Sequence, residues 1–149
     1  MKYRVEEILD LEAALPALER LHQACHEELT DTRGTAFVFR YDLMRALWKN
    51  GSLRIFGAYL ADDLVGHATG YVSVSMRTGQ SVASEDVVYV LPEHRKGVGT
   101  MLARATIAEA KRLGINRYRV TVPRGNAQAK RIARRVGFKP IGEIYEMRL

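Results

Sequence analysis

The stretch YVLPEHRKGVGTMLARA, residues 89–105, changes character in its middle. Up to Pro92 it is apolar and β-branched; from Gly99 onward its apolar residues recur at helical spacing. Between them lie His94, Arg95 and Lys96, followed by Gly97 and Gly99. Pro92 lacks a donor and suits the exit from a sheet. The glycines let the backbone turn tightly and approach a ligand closely. A helix start presents N–H groups without intrahelical partners, at the positive end of the helix dipole. A phosphate or pyrophosphate is the natural occupant of such a junction, and the basic residues add positive charge there. A plain turn beside a solvated cationic surface uses the same residues and stays open on local features alone. Other phosphate loops fit less well. Leu102 stands where a dinucleotide fingerprint needs its third glycine, and the Gly-Lys-Ser/Thr of a P-loop is absent.

Working outward, KYRVEEI alternates as a first strand. DLEAALPALERLHQACHEEL follows with Leu11, Leu15, Leu18, Leu21, Cys25 and Leu29 at helical spacing, and Pro16 implies a kink or a start near Leu15. YDLMRALWKNG reads as a second helix with Asp42 as cap and Gly51 as stop. The period then changes to two. SLRIFGAYLADDLVGHATGYVSVSM reads as two strands joined by a tight turn at Ala61-Asp62-Asp63, and SVASEDVVYVL as a further strand, apolar on both faces at its end and so interior to the sheet. After the glycines, Val98, Met101, Leu102, Ala105 and Ala108 form a helical stripe closed by Gly114. NRYRVTV is another strand. NAQAKRIARRVG is a helix capped by Asn126 and ended by Gly137, and FKPIGEIYEMRL supplies one or two closing strands. The strand–helix–strand section at 86–122 predicts a right-handed crossover between parallel strands. The expectation is a single α/β domain over residues 1–149, α+β by some conventions: a mixed, mostly antiparallel sheet of six to seven strands flanked by about four helices.

The length of 149 residues fits one domain with a sizeable core, and 47% hydrophobic with 27% charged residues is ordinary for a soluble globular chain. No apolar run approaches a membrane span. The opening MKYRVEEILD turns acidic too early for a signal peptide. A cytoplasmic chain, with no membrane partner, is the expectation. The lone Cys25 agrees and excludes an internal disulfide. The net charge of +6 points to an anionic partner without naming it.

VVYVLPEHRKGVGTML resembles the acetyl-CoA-binding segment of the GNAT superfamily, the N-acetyltransferases, whose signature is Gln/Arg-x-x-Gly-x-Gly/Ala after a strand. NAQAKRIARRVGF resembles that family's later segment, Asn-x-x-Ala before a helix ending in Gly-Phe, and the element order agrees over most of the chain. There are two departures. Counted back from Gly97, His94 holds the Gln/Arg place; counted forward from Pro92, Arg95 does, with a loop one residue shorter. Many members carry a Tyr five residues before the Phe of Gly-Phe, as general acid for the leaving thiolate; here that position is Ala133.

The resemblance implies direct attack of a primary amine on the thioester of acetyl-CoA. It implies that Val88, Tyr89 and Val90 pair with the pantetheine arm, a backbone N–H near Val88 or Val90 polarising the acetyl carbonyl. It implies pyrophosphate held by His94, Arg95, Lys96, Gly97, Val98, Gly99 and Thr100, pantetheine touched by Asn126, and CoA phosphates met by Lys130 or Arg131. For the base it implies Glu85 or Asp86. Neighbours on a strand face opposite ways, so only one can point at the acceptor, and the family pattern favours Asp86. Tyr145 and Tyr89 are the tyrosines weighed as acid. Among proteins it resembles, homodimers are common.

Other residues read structurally. His22, Cys25 and His26 have zinc-like spacing, but no fourth ligand is evident and Cys25 lies on the apolar stripe, so no metal is expected. His67 and Trp48 read as packed residues. The late basic cluster from Arg117 to Lys139 exceeds what one CoA requires, yet no motif or stacking aromatics support nucleic acid. Two function classes remain: an acetyl-CoA-dependent N-acetyltransferase, and a catalytically degenerate module binding CoA or a basic-surface partner.

Overall fold

The structure is a computed structural model that describes residues 2–29 and 34–149. The elements run β1 (Tyr3–Glu7), α1 (Leu11–Glu28), α2 (Tyr41–Lys49), β2 (Leu53–Leu60), β3 (Asp63–Val74), β4 (Ser81–Val90), α3 (Arg95–Arg112), β5 (Arg117–Arg119) and α4 (Ala127–Val136). The strands form one sheet in the order β1-β2-β3-β4-β5. The first four make an antiparallel meander, and β5 lies parallel to β4 across the α3 crossover. The turn between β2 and β3 falls where the sequence puts it, with Ala61 at φ +52°.

Strand alternation gives the sheet two apolar faces. Leu53, Ile55, Leu64 and Tyr89 pack on one face with Leu11, Leu15, Leu18 and Leu21 of α1 and Met44 of α2. Phe56, Ala58, Val65, Ala68 and Val90 pack on the other with Val98 and Leu102 of α3. Trp48 is a partly buried member of the first cluster. Arg54 donates to both Glu7 and Glu109, at 2.8 and 2.7 Å, tying β1, β2 and α3 together at the edge of the second.

Several expectations need correction. The sheet has five strands, not six to seven. Residues 138–149 form none, and Ile141, Ile144, Tyr145, Met147 and Leu149 are each at least 75% exposed. Pro140 removes a donor and Gly142 weakens the run, while β5, three residues long, offers little edge to pair with. α1 is continuous through Pro16. Asp10 caps it by accepting from Ala13 N–H at 3.1 Å, so the helix starts ahead of the proline and does without one backbone bond. Asp42 is not the cap of α2; it lies in the first turn, paired with Arg40 at 2.6 Å. On α3 the buried residues are Val98, Leu102, Ala103 and Ala110, whereas Met101 and Ala108 face outward. Among the described residues no helix is long and apolar enough to cross a membrane.

The face beneath α1 buries two imidazoles. His67 is fully buried; Thr69 Oγ1 lies 3.1 Å from its Nδ1, and its Nε2 has no partner. His22 meets it edge to face at 4.8 Å, stacks on Phe39 at 4.2 Å, and is hydrogen-bonded through Nδ1 to the Tyr41 hydroxyl at 3.0 Å. Burial lowers His22 to about 4. Burial first, and then the neighbouring His22, lowers His67 to about 3. Both lie below the ordinary 6.5, so the unfolded chain takes up these protons first as pH falls. Their share of stability is therefore complete above about pH 6.5 and is lost as pH drops toward 4 for His22 and 3 for His67. Urea titrations across this window should show the unfolding free energy falling by up to about 1.4 kcal/mol per pH unit for each histidine, with a shallower slope in His67→Gln. An unchanged slope in that variant would show that His67 is not the titrating group.

Candidate active site

The site starts where two parallel strands part. β4 and β5 pair only from Val82–Arg117 to Ser84–Arg119. Beyond Ser84, β4 continues to Val90 with β3 on one side and no strand on the other. The β3–β4 register shifts between Thr69 and Gly70, so that Asp86 is the extra residue of a bulge. A bulge bends its strand and strengthens its twist, and this one stands where the pairing with β5 stops. Gly70 makes it possible: a Cβ there would meet the Ser84 carbonyl oxygen at 3.1 Å.

The hydrogen-bond phase decides which groups the fork leaves open. Leu91 N–H donates to Val65 O at 2.9 Å, and Tyr89 lies opposite His67 in the next pair of that phase. By alternation Tyr89 turns its backbone toward β3, whereas Val88 and Val90 turn theirs into the fork. The Val90 carbonyl is already taken, because Arg95 Nε donates to it at 2.8 Å. The Val88 N–H, the Val88 carbonyl and the Val90 N–H remain for a guest.

The basic loop divides into residues that build it and residues that are free. Pro92–His94 make a single 3-10 turn. Lys96 and Gly97 are non-helical, with Gly97 at φ +89°, so the regular part of α3 begins at Val98. The N–H groups of Val98, Gly99 and Thr100 then have no carbonyl one turn earlier to donate to. His94 and Arg95 do not face this opening as free cations. His94 Nδ1 is hydrogen-bonded to the Tyr3 hydroxyl at 3.1 Å. Arg95 also bridges to Glu28 of α1 at 2.6 Å and lies over the Tyr89 ring. Lys96 is exposed and, among the described residues, forms no ion pair. α4 closes over the helix start, for a Cβ on Gly99 would meet Ile132 Cδ1 at 3.3 Å. Asn126 caps α4, its side chain accepting from Ala129 N–H at 3.0 Å, and Lys130 is exposed on the same helix.

Glu85 and Asp86 leave the strand toward different faces. The Glu85 charge acts on Tyr118, which lines a pocket together with Thr106 of α3. The Asp86 charge acts on Tyr71, which packs in the cluster beneath α1. Burial, and then the neighbouring Asp86, pushes Glu85 up to about 7; burial alone raises Asp86. A carboxyl group poised near neutrality at the mouth of a fork can take or give a proton at physiological pH. Tyr71 and Tyr118, flanking the pair, were missed by the sequence reading. Their signal is positional, since each sits on a strand beside the acidic pair, and it emerges only once the register is known.

The tyrosines weighed as acid are placed elsewhere. Tyr145 is in the exposed stretch after α4, its hydroxyl donating to Glu143. Tyr89 faces α1, where burial first and the neighbouring Glu28 second raise it to about 12. His22 and His67 form the buried pair above, and His26 Nε2 is hydrogen-bonded to the Thr35 carbonyl at 2.8 Å. Among the described residues no cluster of three or more His, Cys, Asp or Glu could hold a metal.

With this geometry in hand, comparison with known proteins is specific. A model of the acetyltransferase (GNAT) family matches residues 15–138. No curated protein sequence matches significantly. The fold is similar to an aminoglycoside acetyltransferase from an uncultured soil metagenomic sample, with TM-score 0.82 and 18% identity over 100% of this chain and 99% of that one. It is similar to the ribosomal-protein-alanine N-acetyltransferase of Brucella melitensis biovar Abortus 2308, with TM-score 0.79 and 19% identity over 100% of both. It is also similar to AAC(6')-Iy in complex with the bisubstrate analogue CoA-S-monomethyl-acetylneamine, with TM-score 0.80 and 14% identity over 100% and 99%.

The carboxylate pair makes a direct prediction. Removing the neighbouring charge in Asp86→Asn should lower the Glu85 midpoint from about 7. A carbon-detected NMR titration of the side-chain carboxyl reads this. A midpoint that stays put, or rises, would remove Asp86 from the causes of the shift.

Proposed function

The chain belongs to the acetyltransferase (GNAT) family, which matches residues 15–138, and from that premise we propose that it moves acetyl from acetyl-CoA to a primary amine by direct attack in a ternary complex. It is an acetyl-CoA-dependent acetyltransferase; the amine acceptor and the direct route are our reading. The observation that carries it is the fork, with the open backbone of Val88 and Val90 at one end and the unpaired N–H groups of Val98, Gly99 and Thr100 at the other. An extended pantetheine arm pairs with the first as an added strand would. A diphosphate suits the second, helped by Lys96 and, from α4, by Lys130. Asn126 N-caps α4 with its side-chain oxygen, and its amide N–H groups are free to donate to pantetheine.

In this reading the Val88 or Val90 N–H donates to the acetyl oxygen as negative charge develops there. The amine attacks only when neutral. Glu85, held near neutrality by burial, accepts its proton directly or through water, and Asp86 on the opposite face sets how tightly Glu85 holds that proton. Structural relatives named for an aminoglycoside and for a ribosomal-protein alanine support an amine-bearing acceptor in general terms. A second reading, a CoA-binding module without turnover, is favoured by one observation: Ala133 stands where many members carry the tyrosine acid.

Thiol release from acetyl-CoA with a panel of amines, polyamines and lysine peptides separates the two. Turnover should rise with pH through about 7, and Glu85→Gln should flatten that rise while leaving the KM for acetyl-CoA unchanged. A pH profile identical to wild type would remove Glu85 as the base. Gly99→Asp puts a carboxylate beside the diphosphate and should abolish CoA binding by calorimetry. Ile132 can yield to the new Cβ, so the thermal midpoint should move little. CoA affinity unchanged in this variant would refute the assigned loop, and tight CoA binding with no thiol released on any amine would establish the module.

A further inference from the structure

On the α1 face of the sheet, next to the fork, lies a polar cavity of about 220 Å3. Ser73 and Ser75 line it from the end of β3 and beyond, Thr78 and Gln80 from the hairpin to β4, and Arg117 and Arg119 from β5. The register explains the placement. Ser73, Val82 and Arg117 form one cross-strand row, and Tyr71, Ser84 and Arg119 form the next. Tyr118, between the two arginines, faces α3, so alternation turns both guanidinium groups to the α1 side.

These arginines differ from the six that the fold pairs internally. Arg4, Arg40, Arg45, Arg54, Arg95 and Arg112 each face a carboxylate within 3.1 Å. Among the described residues Arg117 and Arg119 form no ion pair, and no Asp or Glu lines their cavity. Two same-side cations ringed by hydroxyl and amide groups, with no internal anion, have the composition of a site for an external one. The Thr78 hydroxyl oxygen accepts from Gln80 N–H at 3.3 Å, which leaves its proton to donate into the space.

Position gives the site its meaning. Arg119 is paired with Ser84, two residues before Asp86 on the same face, a separation of roughly 7 Å at strand rise. Where β4 and β5 have parted, the slot is open to both faces, so an acceptor whose amine lies in the fork beside Glu85 can extend along this face toward the two arginines. We propose that Arg117 and Arg119 bind an anionic group, a carboxylate or a phosphate, on the far end of the amine acceptor. The proposal takes the amine from the acetyl-transfer reading; the anion contact is independent of turnover.

Calorimetric titrations into the protein, with and without saturating CoA, test it with three probes: ε-aminocaproate, its neutral amide, and the matching aminohexyl phosphate. At least one of the anions should bind about tenfold or more tightly than the amide, the range for charge-assisted hydrogen bonds. The stronger anion identifies the group. Arg117→Gln/Arg119→Gln should erase this preference with CoA affinity and thermal midpoint unchanged, and Arg119→Glu should reverse it. Equal binding of acid and amide, no binding of either anion at millimolar concentration, or a preference that survives the double substitution would each overturn the site. Binding that behaves as expected without any thiol release would instead sink the transfer reading and leave the anion site standing.

Discussion

Everything at this site depends on two neighbouring strands that stop pairing. A strand that lies beside another normally pairs with it to the strand ends, because each unpaired buried backbone group costs free energy. Here β4 and β5 share three residues and then separate, and the bulge at Asp86 supplies the bend. The open backbone of Val88 and Val90 is tolerable only because a ligand, or water in its absence, satisfies it. The same bend divides the carboxylates, Glu85 toward Tyr118 and α3, Asp86 toward Tyr71 and α1. One backbone irregularity thus opens the cofactor slot, sets a carboxyl group near neutrality, and aims its neighbour at the opposite face.

The junction in residues 89–105 was legible because its signals are local. Period two ends, a proline intervenes, two glycines follow, and period 3.6 begins; the structure reproduces that order, with Gly97 in a left-handed conformation. The cations there were legible as charge but not as function. His94 and Arg95 sit in the sequence beside the glycines, yet the fold spends them on Tyr3 and Glu28, residues 91 and 67 positions away. Nothing local predicts such partners. In the proposed reading the loop's anion contacts come from main-chain N–H groups and Lys96 rather than from His94 or Arg95.

The bulge and the fork were not legible, since register is a property of strand pairs. From sequence, Glu85 and Asp86 are simply adjacent acids, and family position favoured Asp86. The structure shows Glu85 as the carboxylate of the pair that burial perturbs more, with burial also raising Asp86 beside it. The closing strands failed for a related reason. Tyr145, Met147 and Leu149 alternate well, but alternation states only that a strand has a buried side; it does not provide an edge to receive it. A three-residue β5 does not provide one here.

Net charge was the weakest signal and becomes informative only after internal neutralisation. Three of the six arginines that meet carboxylates stitch elements together: Arg54 joins β1, β2 and α3, Arg45 joins α2 to α1, and Arg95 joins the basic loop to α1. Among the described residues Arg20, Lys49, Arg77, Arg104 and Lys111 also form no ion pair, but the cations near the site are Arg117 and Arg119 on the α1 side of β5, Lys130 on α4 beside the loop, and Lys96 in the loop itself. These places lie on the two faces of one fork. In the proposed reading the cofactor's diphosphate meets Lys96 and Lys130 while an anionic acceptor meets Arg117 and Arg119, so the two do not compete for the same cations.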